Sequence, residues 1–358
     1  MNEFRYRVSP SDLDDLKLRL DRTRWPDELP DVGWSYGIPV ERVRALAGLW
    51  PGVAASFAAD GFVTTIDGQN VYFEHFRAPD PDALPLILTH GWPGSTAEFR
   101  HLIPLLRERF HLVIPALPGF GLSGPTTATG WGQERVARAW ATLMDRLGYS
   151  RYGAHGGDWG SGISRLLGAV APDRVVGVHV NYLPTRGAPD GLSEPDRARL
   201  ERTLALAGTR HPHQWQFLTA PQTIAYALND SPAGLLAYLG EKFTIWADPA
   251  TPVSDQDILA DVLLYWVTGT AGSAARLVKE SGFGGPVPLR SPLGVAVLPR
   301  DITQSIRPLL EPSHDIRQWT EFPRGGHFAA LEVPGLLAAD ITTFFDLVAG
   351  GTPGAPAI

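Results

Sequence analysis

A short glycine-rich motif, GGDWG at 156–160, carries the residue best suited to covalent chemistry. It follows an apolar run that predicts a strand, and it opens a run that predicts a helix. The order strand, tight turn, helix is that of a nucleophile elbow, G-x-nucleophile-x-G, here with Asp in place of Ser. Small flanking residues suit such a turn because its backbone is strained. We therefore predict that Asp158 is a nucleophile.

A second motif, HGWPGS at 90–95, directly follows the apolar run PLILT. In an architecture with such an elbow, the loop after this strand supplies one backbone N–H of an oxyanion hole. The residue after the nucleophile supplies the other N–H group. The sequence therefore predicts the main-chain N–H groups of Trp92 and Trp159 as the two donors.

The two remaining catalytic groups are expected in the chain order nucleophile, acid, histidine. His327 lies in the stretch RGGHF after the last predicted strand, where a general base belongs. The acid should follow the preceding predicted strand, GVAVLP, and Asp301 lies there. Glu311 and Asp315 come later in the chain and are predicted to be solvated loop charges. We therefore predict Asp301 as the acid and His327 as the base.

An Asp nucleophile also restricts the reaction. A carboxylate is ionised at neutral pH and attacks without a base, which suits displacement at a saturated carbon such as that of an epoxide or a halide. The product would be an ester of Asp158, which water then attacks. His327 would activate that water while Asp301 holds the imidazole, and the oxyanion hole would stabilise this second step. A Ser would suit acyl transfer, so we do not expect an esterase.

The elements around these motifs alternate between strand and helix patterns. Alternation around Asp67-Gly68 predicts a hairpin. The later predicted strands are 85–90, 111–116, 152–157 and 175–180, followed by SPLGVAVLP and DIRQWTEF. The predicted helices outside the cap are 11–24, 40–58, 96–108, 132–148, 160–171 and 335–349. This alternation predicts an α/β fold, a mostly parallel sheet with helices on both faces.

A long segment without strand patterns interrupts this alternation. It contains helical patterns near 193–207, 222–228, 232–244, 255–270 and 270–280. We therefore expect a helical cap inserted into an α/β core. The predicted organisation is an N-terminal arm at 1–65 that packs on core and cap, core segments at 66–183 and 286–350, the cap at 184–285 and a flexible tail at 351–358.

Composition excludes several other classes of protein. The 358 residues carry a net charge of −7, which argues against nucleic acid or an anionic membrane as the main partner. The absence of cysteine excludes disulfides, thiolate metal sites and a Cys nucleophile. No secretory leader pattern and no apolar run of about 18 residues is present, so we expect a cytoplasmic protein with no membrane contact. We expect no cofactor and no metal, and we leave a homodimer open.

Seven motifs together resemble one family, the microsomal-type epoxide hydrolases, which include the juvenile hormone epoxide hydrolases. The motifs are TTIDG, LTHGWPGS, PALPGFGLS, GGDWG, ALNDSPAGLLAYLGEKF, YWVTGTAGS and RGGHFAALEVP. The resemblance covers nearly the whole chain. It implies an α/β-hydrolase fold with a helical cap over the site and an N-terminal arm, and it implies that Asp158, Asp301 and His327 form the catalytic triad.

The resemblance also implies a departure. The family uses two cap tyrosines to protonate the epoxide oxygen, and the positions that match them here hold His213 and Val278. Removing such a donor costs a factor of about 10²–10³ in rate, so an epoxide could open here only if another group replaces them. The candidate donors are Tyr182, His213, Gln214, Trp215 and Gln216. Tyr226, Tyr238 and Tyr265 are predicted to be aromatic core of the cap rather than donors.

Three functions therefore remain open from the sequence. The first is hydrolysis of an epoxide to a vicinal diol in an apolar substrate, such as a bulky intermediate of secondary metabolism. The second is a dehalogenase that uses the same Asp nucleophile, because a halide leaving group needs N–H donors rather than an acid. The third is a non-hydrolytic cyclase or a binding protein that keeps the fold and the triad.

Overall fold

The computed structural model describes residues 1–185, 191–210, 212–282, 287 and 289–350. The predicted tail at 351–358 and the predicted boundary between cap and core at 285–286 lie outside these residues. The α/β-hydrolase fold predicted from the sequence is confirmed.

One nine-stranded sheet runs through the described residues in the order β1-β2-β3-β5-β4-β6-β7-β8-β9. The strands are β1 (Asn2–Arg7), β2 (Ala58–Ile66), β3 (Gln69–Phe76), β4 (Pro85–Thr89), β5 (His111–Pro115), β6 (Tyr152–Gly156), β7 (Val175–Val180), β8 (Leu293–Val297) and β9 (Ile316–Glu321). The pairs among β1, β2, β3 and β5 are antiparallel, and the others are parallel. The sheet is therefore mostly parallel with an antiparallel end.

Helices cover both faces of the sheet and form the cap. Those of the arm and core are α1 (Pro10–Asp21), α2 (Val40–Ser56), α3 (Ile103–Leu106), α4 (Gln133–Arg146), α5 (Asp158–Val170), α12 (Arg307–Leu310), α13 (Ala329–Glu332) and α14 (Pro334–Ala349). Those of the cap are α6 (Glu194–Arg210), α7 (Pro212–Thr219), α8 (Pro221–Asp230), α9 (Pro232–Ile245), α10 (Asp255–Thr268) and α11 (Ala271–Ser281). Short 3₁₀ turns lie at Gly33–Tyr36, Thr96–Phe99, Gly121–Ser123 and Glu311–Ser313.

The two faces of the sheet pack into two hydrophobic clusters. Side chains alternate along a strand, so Leu86 and Leu88 of β4 join one cluster while Ile87 between them joins the other. All of β4 is buried, as expected of a central strand covered on both faces.

The carboxyl ends of the parallel strands meet at one edge of the sheet. The candidate residues each follow the end of one of these strands. His90 follows β4, Asp158 follows β6 and Tyr182 follows β7, while Asp301 follows β8 and His327 follows β9. Ligands of open α/β sheets bind at this edge. The topology therefore brings the predicted chemistry to one place.

The first 66 residues belong both to the sheet and to the arm. Strands β1 and β2 extend the sheet, and the hairpin between β2 and β3 turns at Asp67 and Gly68, both with positive φ. Between the strands, α2 packs on the cap, where the Arg42 guanidinium donates two hydrogen bonds to the Asp255 carboxylate at 2.6 and 3.0 Å. The segment predicted as an arm at 1–65 therefore also supplies two strands: β2, whose later part belongs to the predicted hairpin around Asp67-Gly68, and β1, which no sequence pattern predicted.

One predicted element differs from the structure, and one helix of the cap was not predicted. The helix predicted at 96–108 is a 3₁₀ turn followed by the four-residue α3, and Pro104 lies in the first turn of α3, where it cannot continue a preceding helix. Helix α7 was not predicted as an element of its own. The other predicted cap helices lie at α6, α8, α9, α10 and α11.

Among the described residues, no single helix is long and apolar enough to cross a membrane. Helices α10 and α11 reach the length and apolar composition of a membrane span only when taken together, and the pair is bent by 94° at the break between them.

Candidate active site

The turn between β6 and α5 places Asp158 at the carboxyl edge of the sheet. Asp158 has a φ of 47°, in the left-handed region that non-glycine residues rarely adopt. The turn is tight because α5 begins against β4: a Cβ at Gly160 would lie 1.9 Å from the carbonyl oxygen of Thr89. The motif GGDWG therefore folds as the strand–turn–helix elbow that the sequence predicted.

The loop after β4 contacts the Asp158 carboxylate through its backbone. The N–H of Trp92 donates to Oδ1 of Asp158 at 2.9 Å. This approach requires glycine at position 91, because a Cβ there would lie 2.3 Å from the same oxygen. The second predicted donor, the N–H of Trp159, lies in the first turn of α5, where N–H groups have no partner within the helix.

His327 lies between two carboxylates. Its Nδ1 is hydrogen-bonded to Oδ1 of Asp301 at 2.7 Å, and its Nε2 lies 3.5 Å from Oδ2 of Asp158. Asp301 is fixed in turn, since its Oδ1 also accepts the backbone N–H of Ile302 at 2.6 Å. The structure therefore brings Asp158, Asp301 and His327 together in the order that a nucleophile, its base and the orienting acid require.

The charges around His327 set its protonation. Burial by itself lowers the pKa of the imidazole, but the charge of Asp301 and the interactions with Asp158 together raise this pKa to about 10. The imidazole is therefore a cation at neutral pH while Asp158 is ionised. Loss of the Asp158 charge would remove part of what raises this pKa.

Glu332 holds the backbone around the imidazole. Its Oε2 accepts the N–H groups of Gly326 and Asp248 at 2.7 Å, and its Oε1 accepts the N–H of Phe328 at 2.8 Å. Burial raises the pKa of Glu332 to about 7, although these three N–H donors act in the opposite direction. The sequence analysis missed this residue, although it lies inside the motif RGGHFAALEVP.

The cap holds the same loop from the other side. Just beyond α9, the carbonyl oxygen of Trp246 accepts the backbone N–H of His327 at 3.0 Å. Oδ2 of Asp248 accepts the N–H of Gly325 at 2.9 Å. No sequence pattern pointed to Asp248, because its role depends on a contact between segments far apart in the chain.

Aromatic rings form the wall of the site on the cap side. The imidazole of His213 stacks on the indole of Trp92, with ring centroids 4.5 Å apart and planes 21° apart. The ring of Trp246 lies 5.3 Å from that of His213 and 5.2 Å from that of His327. His213 and Val278, the two cap positions singled out by the sequence, are both buried.

Tyr182 lies beside the triad. Its ring meets the His327 ring edge-on with centroids 5.4 Å apart, and its hydroxyl lies 3.4 Å from Oγ1 of Thr303. Burial and the charge of Asp158 raise the pKa of the phenol, so it stays protonated. Of the described tyrosines, Tyr182 is the one whose ring contacts a triad residue.

Two of the other candidate donors are not at the site. On α7, His213 and Phe217 are four residues apart and face inward, whereas Trp215 lies on the opposite face with 63% of its surface exposed. The Nε2 of Gln216 donates to the carbonyl oxygen of Ala220 at 2.8 Å, within the cap. Trp215 and Gln216 are therefore no longer candidates.

The tyrosines predicted as cap core differ from one another. Tyr265 is buried, and its hydroxyl donates to the carbonyl oxygen of Gly94 at 2.7 Å, so it supports the HGWPGS loop. Tyr238 is partly buried, with its ring 6.2 Å from that of Trp92. The prediction is wrong for Tyr226, which is 74% exposed.

A cavity of about 1080 Å³ opens at the nucleophile. Asp158, Trp159, Tyr182 and Gln214 are among its lining residues. The lining also includes Arg165 on α5 and residues at the start of α4 and the end of α11. Among the residues that the structure describes, no group of three His, Asp or Glu side chains could hold a metal ion.

A mostly parallel sheet with a nucleophile elbow after β6, an acid after β8 and a histidine after β9 defines an α/β-hydrolase. Family models agree: residues 85–181 match the α/β-hydrolase fold, and residues 1–99 match the epoxide hydrolase N terminus. The chain is 30% identical to epoxide hydrolase 1 of Oryctolagus cuniculus over 402 aligned residues, which cover 96% of this chain and 88% of that protein. The chain belongs to the microsomal-type epoxide hydrolase family.

Solved structures give the same answer. The structure of Aspergillus niger epoxide hydrolase matches with a TM-score of 0.88 at 31% identity, covering 97% of this chain and 96% of that one. The juvenile hormone epoxide hydrolase of the silkworm Bombyx mori matches with a TM-score of 0.89 at 25% identity, covering 98% of this chain and 95% of that one. The likeness therefore includes the arm and the cap as well as the sheet.

Proposed function

We propose that this protein hydrolyses an epoxide in an apolar substrate to a vicinal diol through an ester at Asp158. The observation that carries the proposal is the different surroundings of the two Asp158 oxygens. Oδ1 accepts the Trp92 N–H at 2.9 Å, and Oδ2 lies 3.5 Å from Nε2 of His327. The names of the relatives support an epoxide as the group that is attacked.

In the first step, Oδ2 of Asp158 attacks an epoxide carbon. The C–O bond of the ring breaks, and the ring oxygen leaves as an alkoxide that must gain a proton. Oδ1 becomes the carbonyl oxygen of the ester and stays against the Trp92 N–H. The aromatic wall around Trp92 and Trp246 supports an apolar substrate, because such rings exclude water from the reacting carbon.

In the second step, water attacks the ester carbonyl carbon. His327 takes the proton of this water at Nε2, and Asp301 stabilises the imidazolium through Nδ1. The negative charge that develops on Oδ1 is stabilised by the N–H of Trp92, with that of Trp159 as the second proposed donor. The ester C–O bond then breaks, the diol gains a proton from the imidazolium, and Asp158 is restored.

The test is the mass of the protein after mixing with a panel of aryl and alkyl epoxides. His327→Gln should slow the second step and allow the ester to accumulate as an adduct of epoxide mass. The added change Asp158→Asn should abolish the adduct. A folded His327→Gln protein without any adduct across the panel would contradict the proposal. Haloalkanes in the same panel test the dehalogenase alternative by halide release, and product analysis tests a cyclase.

A further inference from the structure

The ring oxygen needs a proton as the epoxide opens, and Tyr182 is placed to supply it. We propose that the Tyr182 hydroxyl is the acid of the first step, an inference that rests on the proposed epoxide chemistry. As Oδ2 of Asp158 forms its bond to carbon, the ring C–O bond breaks and the phenol O–H proton passes to the alkoxide. The products are the hydroxy ester and a phenolate, and the proton released when the ester is hydrolysed restores the phenol.

The backbone of Tyr182 is fixed against the nucleophile elbow. The Ser161 hydroxyl, in the first turn of α5, donates to the carbonyl oxygen of Tyr182. The preceding residue, Asn181, packs its side-chain amide against Gly157, where an added Cβ would lie 2.9 Å from that amide. At the following residue, the Ser305 hydroxyl donates to the carbonyl oxygen of Leu183 at 2.8 Å. The backbone that carries the phenol is therefore held against the elbow of Asp158.

The phenol ring is turned toward the reacting groups. It meets the His327 ring edge-on at 5.4 Å between centroids, and it lines the same cavity as Asp158. Thr303 Oγ1, 3.4 Å from the phenol oxygen, can donate a hydrogen bond to it. A phenol that accepts from Thr303 is free to direct its own proton into the cavity, and the same contact stabilises the phenolate that forms.

The charges at the site suit this role. Burial and the charge of Asp158 raise the pKa of Tyr182, so the phenol holds its proton in the resting protein. Ester formation neutralises Asp158, so the charge that opposes a phenolate disappears in the same step that needs the proton. The buried Tyr265, whose hydroxyl reaches the loop after β4, already donates to the Gly94 carbonyl oxygen.

The experiment measures the alkylation step in Tyr182→Phe by rapid quench and intact-protein mass. The expected result is a fall of about 10²–10³-fold in the alkylation rate constant. The matched control is Tyr226→Phe, which removes a hydroxyl from an exposed ring and should leave the rate unchanged. Thermal unfolding of both variants checks that the ring still packs.

A substrate pair separates acid catalysis from a structural effect. A trifluoromethyl-substituted epoxide gives a less basic alkoxide than its methyl analogue, so it depends less on a proton donor. Tyr182→Phe should therefore slow the methyl epoxide more than the trifluoromethyl one. An equal loss for both substrates, or no loss for either, would overturn the assignment. No ester in a folded His327→Gln protein that keeps Tyr182 would instead count against the proposed epoxide chemistry itself.

Discussion

Nε2 of His327 lies 3.5 Å from Oδ2 of Asp158, while Oδ1 of Asp158 accepts the backbone N–H of Trp92. The two oxygens of one carboxylate therefore have different environments before any substrate binds. In the proposed mechanism, the oxygen near the imidazole attacks carbon, and the other oxygen carries the negative charge that develops during ester hydrolysis. A hydrogen-bond donor that is already in place, here the Trp92 N–H, acts without reorganisation at the moment of reaction.

The first prediction concerns the protonation of His327. Burial lowers the pKa of this imidazole, and the charges of Asp301 and Asp158 raise it to about 10. Asp158→Asn removes one of these charges, so the pKa of His327 should fall. NMR titration of the ring resonance, assigned with His327→Gln, measures the shift. An unchanged pKa would mean that Asp301 alone controls the imidazole.

Formation of the ester also removes the Asp158 charge, and this predicts different pH profiles for the two chemical steps. Ester hydrolysis needs neutral His327, and the ester lacks the Asp158 charge. Its rate should therefore rise with pH through a midpoint below the resting pKa of about 10. Alkylation uses no base and should lack this rising limb. Single-turnover measurements of each step across pH provide the check, and a shared midpoint near the resting pKa would contradict the assigned roles.

The third prediction uses the close approach of Gly91 to the nucleophile. A Cβ in Gly91→Ala would lie 2.3 Å from Oδ1 of Asp158, so the carboxylate must leave the Trp92 N–H. We expect the alkylation rate constant to fall by about 10²-fold, the scale of a small misplacement of the attacking group. Gly48→Ala is the matched control, because Gly48 is exposed on α2 with nothing within 4 Å of its Cβ position.

Gly48→Ala should also raise the free energy of unfolding by roughly 0.5–1 kcal/mol, because alanine loses less backbone entropy in a helix. Chemical denaturation of both variants gives this value. A Gly91→Ala protein with normal alkylation would show that the carboxylate does not need its contact with the loop.

The fourth prediction concerns Glu332, which holds the loop of the base. Glu332→Gln replaces a carboxylate that accepts three N–H groups by an amide with one acceptor oxygen. We expect a loss of about 1–3 kcal/mol in the free energy of unfolding. We also expect ester hydrolysis to slow more than alkylation, because only hydrolysis needs the base in place. Glu311→Gln, at an exposed position, is the control.

Equal slowing of both steps in Glu332→Gln would mean that the loop does more than position the base. The ratio of the two single-turnover rate constants is therefore the quantity to compare, rather than kcat alone.

The fifth prediction is that Glu98, which follows the HGWPGS loop in the chain, makes the stability of the protein depend on pH. Burial, with the charges of Asp261 and Asp158, raises the pKa of Glu98 to about 8. A carboxyl whose pKa is higher in the folded state contributes stability below its unfolded pKa, and this contribution is lost as pH rises through about 8. As pH rises from about 5 to about 9, the Tm of Glu98→Gln should therefore fall less than the Tm of the unmodified protein.

The control for this measurement is Glu108→Gln, since the Glu108 side chain is 68% exposed. It should leave the slope of Tm against pH unchanged. A slope that Glu98→Gln does not reduce would show that Glu98 carries no buried charge at high pH.

The fold and the positions of the triad could be predicted because local patterns determine them. The elbow at Asp158 is a strand–turn–helix unit within one short segment, and parallel strands bring their carboxyl ends to one edge whatever the loops contain. Family membership, inferred from seven motifs, is confirmed. The pairing of β1 with β2 across more than fifty residues had no local pattern to reveal it.

The donors were harder to predict because they depend on which face of a helix is buried. Trp215 and His213 are two residues apart, so recognising α7 as a helix would have placed them on opposite faces. Glu332 and Asp248 act through contacts with backbone N–H groups, and such contacts leave no mark in residue spacing. Tertiary packing, not the chain pattern, decides these assignments.

Four backbone N–H groups of the loop that holds His327 donate to acceptors in both the core and the cap. Glu332 of the core accepts two of them, and Trp246 and Asp248 of the cap accept one each. A chimera that exchanges the cap to change substrate range would therefore also exchange the partners of the base. Recombination that keeps residues 246–248 with the parent core should preserve turnover, whereas a junction placed before them would couple new specificity to a displaced imidazole.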